Sequence, residues 1–280
     1  MRVVEAAKIT GVVARLCVQA NIRLAGDVKS CIEGCHAVEP WPTARDTLGK
    51  IIENYNLADE RDMPICQDTG VACVFLEIGE DVHIAGSIAD CVDEGVRRGY
   101  RDGYLRKSVV GEPLYGRKNT GDNTPAMLYT EYVPGDKIKI TVAPKGFGSE
   151  NTSRIKMLLP SDGVEGVIAF VLETIEIAGP NPCPPLVVGV GLGGTFDKAA
   201  LLAKKALLRT TGKAHPDLNY AGLEAELLEK INALGIGPQG LGGRTTALSV
   251  AVEYMPTHIA GLPCAVNVNC HVARHQTEVI

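Results

Sequence analysis

The stretch that most restricts the fold is PLVVGVGLGGTFDKAALLAKKALLR, which reads as a strand, a glycine turn and a helix in direct succession. Its Gly189-Val-Gly191-Leu-Gly193-Gly194 core fits the G-x-G-x-x-G pattern of dinucleotide sites. Such a unit must deliver, about 20 residues on, a second strand ending in an acidic residue for the ribose. Here the helix runs to Arg209 and gives way to TTGKAHPDLNY, so that strand is missing. The glycines are therefore read as places where a helix packs closely on a strand. A dinucleotide-binding oxidoreductase is the rival that rests on them.

Around this unit the pattern is mixed. The first 62 residues read as helices: Ala6, Val13, Leu16, Ala20 and Ile22 recur near helical spacing, and a second helix is expected over about 27–38. A third follows Pro42, with Leu48, Ile51, Ile52, Tyr55 and Leu57 on one face. At Met63 the texture changes, and MPICQDTG leads into VACVFLEI, a strand bounded by Gly70 and Gly79. A helix follows over 87–101. AMLYTEYV and KIKITVA, separated by Pro134, Gly135 and Asp136, predict a hairpin or meander. Residues 163–178 are apolar on most sides and predict a buried helix. Leu223, Leu227, Ile231 and Leu234 mark another, ended by Gly235 and Gly237, and TALSVAVEY and LPCAVNVN read as the last two strands. No repeat, low-complexity tract or polar linker interrupts residues 1–280, which predicts one continuous domain or two intimately packed lobes.

A chain of 280 residues can bury a sizeable core. Its net charge of -5, from 28 Lys+Arg against 33 Asp+Glu, leaves no cationic excess for a phosphate backbone, so nucleic acid is excluded as a partner. No window approaches about 18 uninterrupted apolar residues. The opening MRVVEAAKITGVVARL carries a glutamate and a lysine within its apolar pattern, so neither a membrane span nor a secretory leader is expected. Nine cysteines, an odd number in a chain this long, do not make a disulfide framework and point to a reducing, cytoplasmic compartment.

Three of the nine have distinctive neighbours. Cys66 lies in PICQDTG, Cys183 in NPCPP and Cys270 in NVNCH, each among turn-forming residues that expose a thiol beside a strand. Cys17, Cys31, Cys35 and Cys91 fall in helical stretches, and Cys73 and Cys264 in strands, where a buried structural role is the default. Three converging loop thiolates suit a [4Fe–4S] cube with one iron left open as a Lewis acid, against redox sensing or plain packing.

Groups suited to a small anion lie nearby in sequence. Residues 145–151, KGFGSEN, follow a strand and enter a helix, where backbone N–H groups face an anion. Arg106, Arg117 and Lys118 precede the turn NTGDNTP. Asp68 can orient a donor or take a proton, or else close an Asx turn on its own backbone. His258 follows a strand and a proline, and His271 abuts Cys270.

CQDTG, NTGDNTPA, KGFGSEN, the NPCPP-to-LLR stretch, LGIGPQGLGGRTTALSV and HIAGLPCAVNVNCHVARH, in this order, resemble the α subunit of class I iron–sulfur fumarate hydratases, with the L(+)-tartrate dehydratase α subunit a close relative. The resemblance covers nearly the whole chain. It implies cluster ligands at Cys66, Cys183 and Cys270, substrate contacts from Gln67, Asp68, Arg106 and the Gly146 to Gly148 loop, and an active-site histidine at His258. Phe147 stands where the family often has glycine, which leaves open the amide that serves. Asp68 and His258 are the implied catalytic residues.

The implied reaction is reversible hydration of fumarate to (S)-malate without net redox change, shared with a β subunit in an α2β2-type assembly. The implied fold, in line with the segments above, is α+β: helices around a modest sheet, not Rossmann and not a barrel. Alternatives are a tartrate dehydratase, a methylfumarate hydratase and an iron–sulfur sensor without enzymatic activity.

Overall fold

The computed structural model describes residues 1–280. In chain order the elements are β1 (Arg2–Glu5), α1 (Ala6–Ile22), α2 (Gly26–Val38), α3 (Pro42–Glu60), β2 (Val71–Gly79), β3 (Val82–Ala85), α4 (Ile88–Asp102), β4 (Met127–Val133) and β5 (Ile138–Lys145). There follow α5 (Phe147–Glu150), β6 (Arg154–Leu158), α6 (Gly163–Ala178), β7 (Leu186–Gly193), α7 (Phe196–Ala206), α8 (Leu218–Ala233), β8 (Ala247–Met255), β9 (Leu262–Asn269) and β10 (Gln276–Val279). The chain divides into two compact units. The first comprises Met1–Ala25, Tyr55–Phe147 and Arg274–Ile280; the second comprises Gly26–Asn54 and Gly148–Ala273.

The first unit is built on a four-stranded sheet in the order β10-β5-β2-β4, with β1 and β3 paired in parallel beside it. Val74, Leu76, Ile140 and Val142 are fully or almost fully buried in one core with Ile9, Val13 and Leu16 of α1 and Val92 and Val96 of α4. Each such side chain contributes about 1.5–3 kcal/mol by leaving water.

The expected hairpin of β4 and β5 does not form. Instead β2 lies between them, parallel to β4 and antiparallel to β5. The reason is burial. Strand β2 is buried along almost its whole length and takes a central place, whereas β4 is largely exposed and takes an edge. The turn at Pro134 crosses the end of β2, with Gly79 N donating to Lys137 O (2.8 Å) and Glu80 N to Val133 O (2.9 Å).

The second unit holds a sheet in the order β6-β9-β7-β8, in which β7 is buried at every position. Successive side chains of a strand face opposite sides. Val188, Val190 and Leu192 enter a core with Val171 and Ile175 of α6 and Leu227 and Ile231 of α8. Gly189 and Gly191 face α7: a Cβ on Gly191 would overlap the Ala199 carbonyl oxygen and the Ala203 nitrogen, and one on Gly189 the Ala203 carbonyl oxygen. These two glycines of the G-x-G-x-x-G pattern thus seat a helix backbone against the strand.

The architecture is α+β, with helices around open sheets that close into no barrel. Three further expectations need correction. The chain opens with strand β1 before its first helix, because Arg2–Glu5 pairs with Val82–Ala85. Helix α6 is half-exposed, with Val164 and Ile177 at 58% and 63%. The last strand is β10, which pairs antiparallel with β5. No helix is long and apolar enough to cross a membrane.

Candidate active site

In the first unit the sheet gathers four segments at one end. Strand β2 begins where β5 ends, since Val71 pairs with Lys145; β4 begins beside Cys73, and β10 begins beside Val142. The turn over residues 66–70, the loop before β4, the Gly146 loop and Arg274 therefore meet there.

This turn is densely tied. Asp68 N–H donates to Cys66 Sγ (3.4 Å), and Asp68 Oδ1 accepts from Gly70 N (3.0 Å), so the Asx turn does form. Its Oδ2 also accepts from Phe147 N (2.9 Å). That amide is thereby committed to Asp68, and a Cβ on Gly146 would stand 3.1 Å from the same Oδ2. Tyr100 Oη donates to Thr69 O (2.8 Å) and Gly70 O (3.1 Å), Thr69 Oγ1 to Arg106 O (3.0 Å), and Asn123 Nδ2 to Gly70 O (3.2 Å). Arg274 Nη2 donates to Asp68 O.

The charges at this end are mostly positive. Lys145 and Arg274 are both 4% exposed. Lys145 Nζ lies 3.4 Å from Gly146 O. The Gln67 and Arg106 side chains are exposed, as are Arg117 and Lys118. In the turn before β4, burial acts to raise the Asp122 carboxyl, but Thr124 N–H, Thr124 Oγ1 and the Arg97 guanidinium prevail and hold it down at about 2.

The second unit repeats this arrangement. Strand β7 begins where β9 ends, as Val187 pairs with Asn269, so Cys183 before β7 and Cys270 after β9 come to the same end. His271 joins them, its backbone N donating to Cys183 O (3.4 Å) and its Nδ1 lying 3.0 Å from the same oxygen. Gln239 Nε2 lies 3.2 Å from the same Nδ1, so this ring nitrogen sits between an amide group and the Cys183 carbonyl.

Cys183 is exposed and holds φ at 55°, a left-handed conformation that costs a non-glycine residue on the order of 1 kcal/mol or more. Gln239 buttresses the loop, its N and Nε2 both donating to Pro184 O (2.8 Å each). The Gly148 side of the loop reaches this end as well, through Glu150 Oε2, which accepts from Asn267 Nδ2 (2.7 Å).

His258 does not join the two cysteines of its unit. It lies in the exposed turn between β8 and β9, and the eight residues of β9 separate it from Cys270. At about 3.3 Å per residue, the strand sets them roughly 25 Å apart. Its Nδ1 accepts from Ala260 N (3.1 Å), and the neighbouring Thr257 Oγ1 donates to Gly194 O (2.9 Å), at the far end of β7.

Five of the six remaining thiols are poor ligands, and the sixth, Cys73, is buried within β2. Burial pushes Cys17 and Cys264 up to about 12, and also raises Cys91; Cys31 and Cys35 are raised first by burial and then by neighbouring acidic groups or thiols. All five stay protonated at neutral pH, whereas a metal needs thiolates. Within neither unit do three Cys, His, Asp or Glu side chains gather as they would on a single metal ion. Cys66, Cys183 and Cys270, in coil at the ends of strands and none of them buried, are the donors suited by chemistry to a cluster held from separate loops.

Sequence reasoning missed Arg274, Tyr100, Asn123 and Gln239. Their roles depend on strand pairing rather than on local pattern. Two carried a signal: Gln239, as the polar residue in the glycine-rich run GIGPQGLGG, and Asn123, within the NTGDNTP turn.

Comparison with known proteins gives the family. A family model described as fumarate hydratase (Fumerase) matches residues 10–279. A Methanocaldococcus jannaschii protein named putative L(+)-tartrate dehydratase subunit alpha is 46% identical over 279 residues, covering 98% of each chain. Two proteins named L(+)-tartrate dehydratase subunit alpha, from Escherichia coli O157:H7 and Escherichia coli strain K12, are 33% and 32% identical over 275 residues, covering 98% of this chain and 91% of theirs. The chain therefore belongs to the fumarate hydratase family and is a hydro-lyase.

Proposed function

We propose that this chain is the α subunit of a two-subunit enzyme that holds a [4Fe–4S] cluster on Cys66, Cys183 and Cys270 and interconverts fumarate and (S)-malate. The observation that carries the reading is the clasp in which His271 holds Cys183 O, keeping an exposed thiol at positive φ beside Cys270. A strained backbone around an exposed thiol is a feature of functional loops rather than of packing.

When bound, the cluster supplies an open iron as a Lewis acid for the substrate hydroxyl and adjacent carboxylate. The chain's own residues bind and orient. Arg106 offers an exposed guanidinium fork for a substrate carboxylate, fixed at its backbone by Thr69. Gln67 offers an exposed amide beside Cys66. Asp68, pinned through both carboxylate oxygens by Gly70 N and Phe147 N, keeps its remaining lone pairs in a fixed direction to orient a substrate donor or take a proton. Buried Lys145 and Arg274 add positive potential that favours a dicarboxylate.

These groups serve one end of a dicarboxylate. Its second carboxylate and the placed base are assigned to a β subunit, in an α2β2-type assembly; the names of the relatives, each a subunit alpha, support such a partner. The same names favour a second reading, L(+)-tartrate as the substrate. Tartrate adds a hydroxyl that must be hydrogen-bonded, and an unpaired one costs about 1–3 kcal/mol. The stretch before Cys270 resembles the fumarate branch, so fumarate and malate are expected to exceed L(+)-tartrate by at least about tenfold in kcat/KM. Anaerobic assay of the chain co-expressed with its β partner, on both substrates, tests the reading. Equal or better turnover of tartrate moves the chain to the second reading, and no turnover of either overturns both.

A further inference from the structure

Arg274 is 4% exposed, and no other arginine of the chain is so enclosed. It directly precedes β10, whose pairing of Gln276 with Val142 carries it to the sheet end that holds the turn over residues 66–70. Its Nη2 donates to Asp68 O. Its Nε and Nη1 are enclosed and meet no hydrogen-bond partner at all. No carboxylate pairs with it, and the two oxygens of Asp68 are already met by Gly70 N and Phe147 N. A buried guanidinium with one bond, to a neutral acceptor, is an expensive arrangement unless negative charge stands close by.

The turn that Arg274 holds is the one that presents Cys66, whose Sγ accepts from Asp68 N. Resting on the cluster reading above, we propose that Arg274 is a positioning residue of the thiolate site: it braces the Cys66 turn through Asp68 O and supplies the positive charge that offsets the net negative charge of a thiolate-held cluster. Because Nε and Nη1 are closed off from solvent, the guanidinium acts through space across a poorly polarisable interior rather than by touching the cluster. Asn21 Oδ1 is also buried without a partner, and both Asn21 and Arg274 act on the Tyr100 hydroxyl. A water between Asn21 and Arg274 would satisfy hydrogen bonds there but supply no charge, so charge is the property to test.

The test compares the wild-type chain, Arg274→Lys and Arg274→Gln after anaerobic reconstitution with iron and sulfide. Folding is checked by thermal melts of the unloaded proteins, iron retention by chelator challenge, and cluster reduction potential by titration followed by electron paramagnetic resonance. The expected result is a lower potential and about tenfold faster iron loss in Arg274→Gln, with Arg274→Lys close to wild type in potential. Equal potentials in all three overturn the inference. So does an Arg274→Lys variant that melts like wild type yet loses iron as fast as Arg274→Gln, since that is the behaviour of a brace without a charge role. Should Arg274→Gln not fold, the potential of Arg274→Lys decides: a value near wild type supports the inference, and a clearly lower one overturns it. A wild-type chain that takes up no iron overturns the cluster reading itself, a result distinct from full wild-type loading with unchanged variants.

Discussion

Two histidines separate the cysteine end of the second unit from the rest of its sheet, and changing each of them measures that separation. His271→Ala removes the Nδ1 contact with Cys183 O (3.0 Å) and leaves only the longer backbone bond of 3.4 Å. A hydrogen bond of this kind is worth about 1 kcal/mol, and the positive φ at Cys183 that it helps to hold costs a similar amount. Because that strain is present with or without the imidazole, only the bond is lost, and about 1 kcal/mol corresponds to roughly a fivefold weakening of cluster retention. His258→Ala acts from across the eight residues of β9, roughly 25 Å away, and should leave retention unchanged. The assay is iron and acid-labile sulfide remaining after timed exposure to a chelator under anaerobic conditions, with visible absorption as the second readout. If His258→Ala sheds iron as fast as His271→Ala, the placement of the cysteine pair at one end of the sheet is wrong.

Gly191→Ala should destabilise the protein by about 3 kcal/mol or more in urea unfolding, because its Cβ would overlap the backbone of α7; a loss under about 1 kcal/mol would show that the glycine is not there for close packing. Asp122, whose carboxyl is held at about 2 against an ordinary 3.8, contributes stability that is fully present above pH 3.8 and is lost as the pH falls toward 2. Asp122→Asn should therefore cost about 1–2 kcal/mol at neutral pH and flatten the acid limb of the stability profile, and an unchanged acid limb would contradict this. The isolated chain should bind the cluster without turning over fumarate, and appreciable fumarase activity without the β partner would refute the division of labour.

The loop placement of the three cysteines was legible because turn chemistry is local. The CQDT, NPCPP and NVNCH contexts could expose a thiol whatever the surrounding fold, and all three cysteines do lie in coil outside the buried core. Glycines 189 and 191 were legible as packing positions because the strand expected of a dinucleotide unit was missing. What failed was long-range. The Pro134 turn looks like a hairpin to any local reading, since nothing within AMLYTEYVPGDKIKITVA announces that β2, far upstream, will take the central place. Arg274 was invisible because its burial follows from β10 pairing with β5, and an arginine between alanine and histidine carries no pattern. His258 entered through the family resemblance, which carries no distance, and the strand Leu262–Asn269 sets it at the opposite end of the sheet from Cys270.

The central claim is that Cys66, Cys183 and Cys270 together hold one four-iron cluster, and iron per chain measures it directly. Protein purified without air, alongside Cys66→Ser, Cys183→Ser, Cys270→Ser and Cys31→Ser variants, would be assayed for iron and acid-labile sulfide. The account predicts about four irons per chain in the wild type and in Cys31→Ser, with a broad visible absorption, and loss of the cluster in each of the other three. Full iron loading in Cys183→Ser, with melting unchanged, would contradict it.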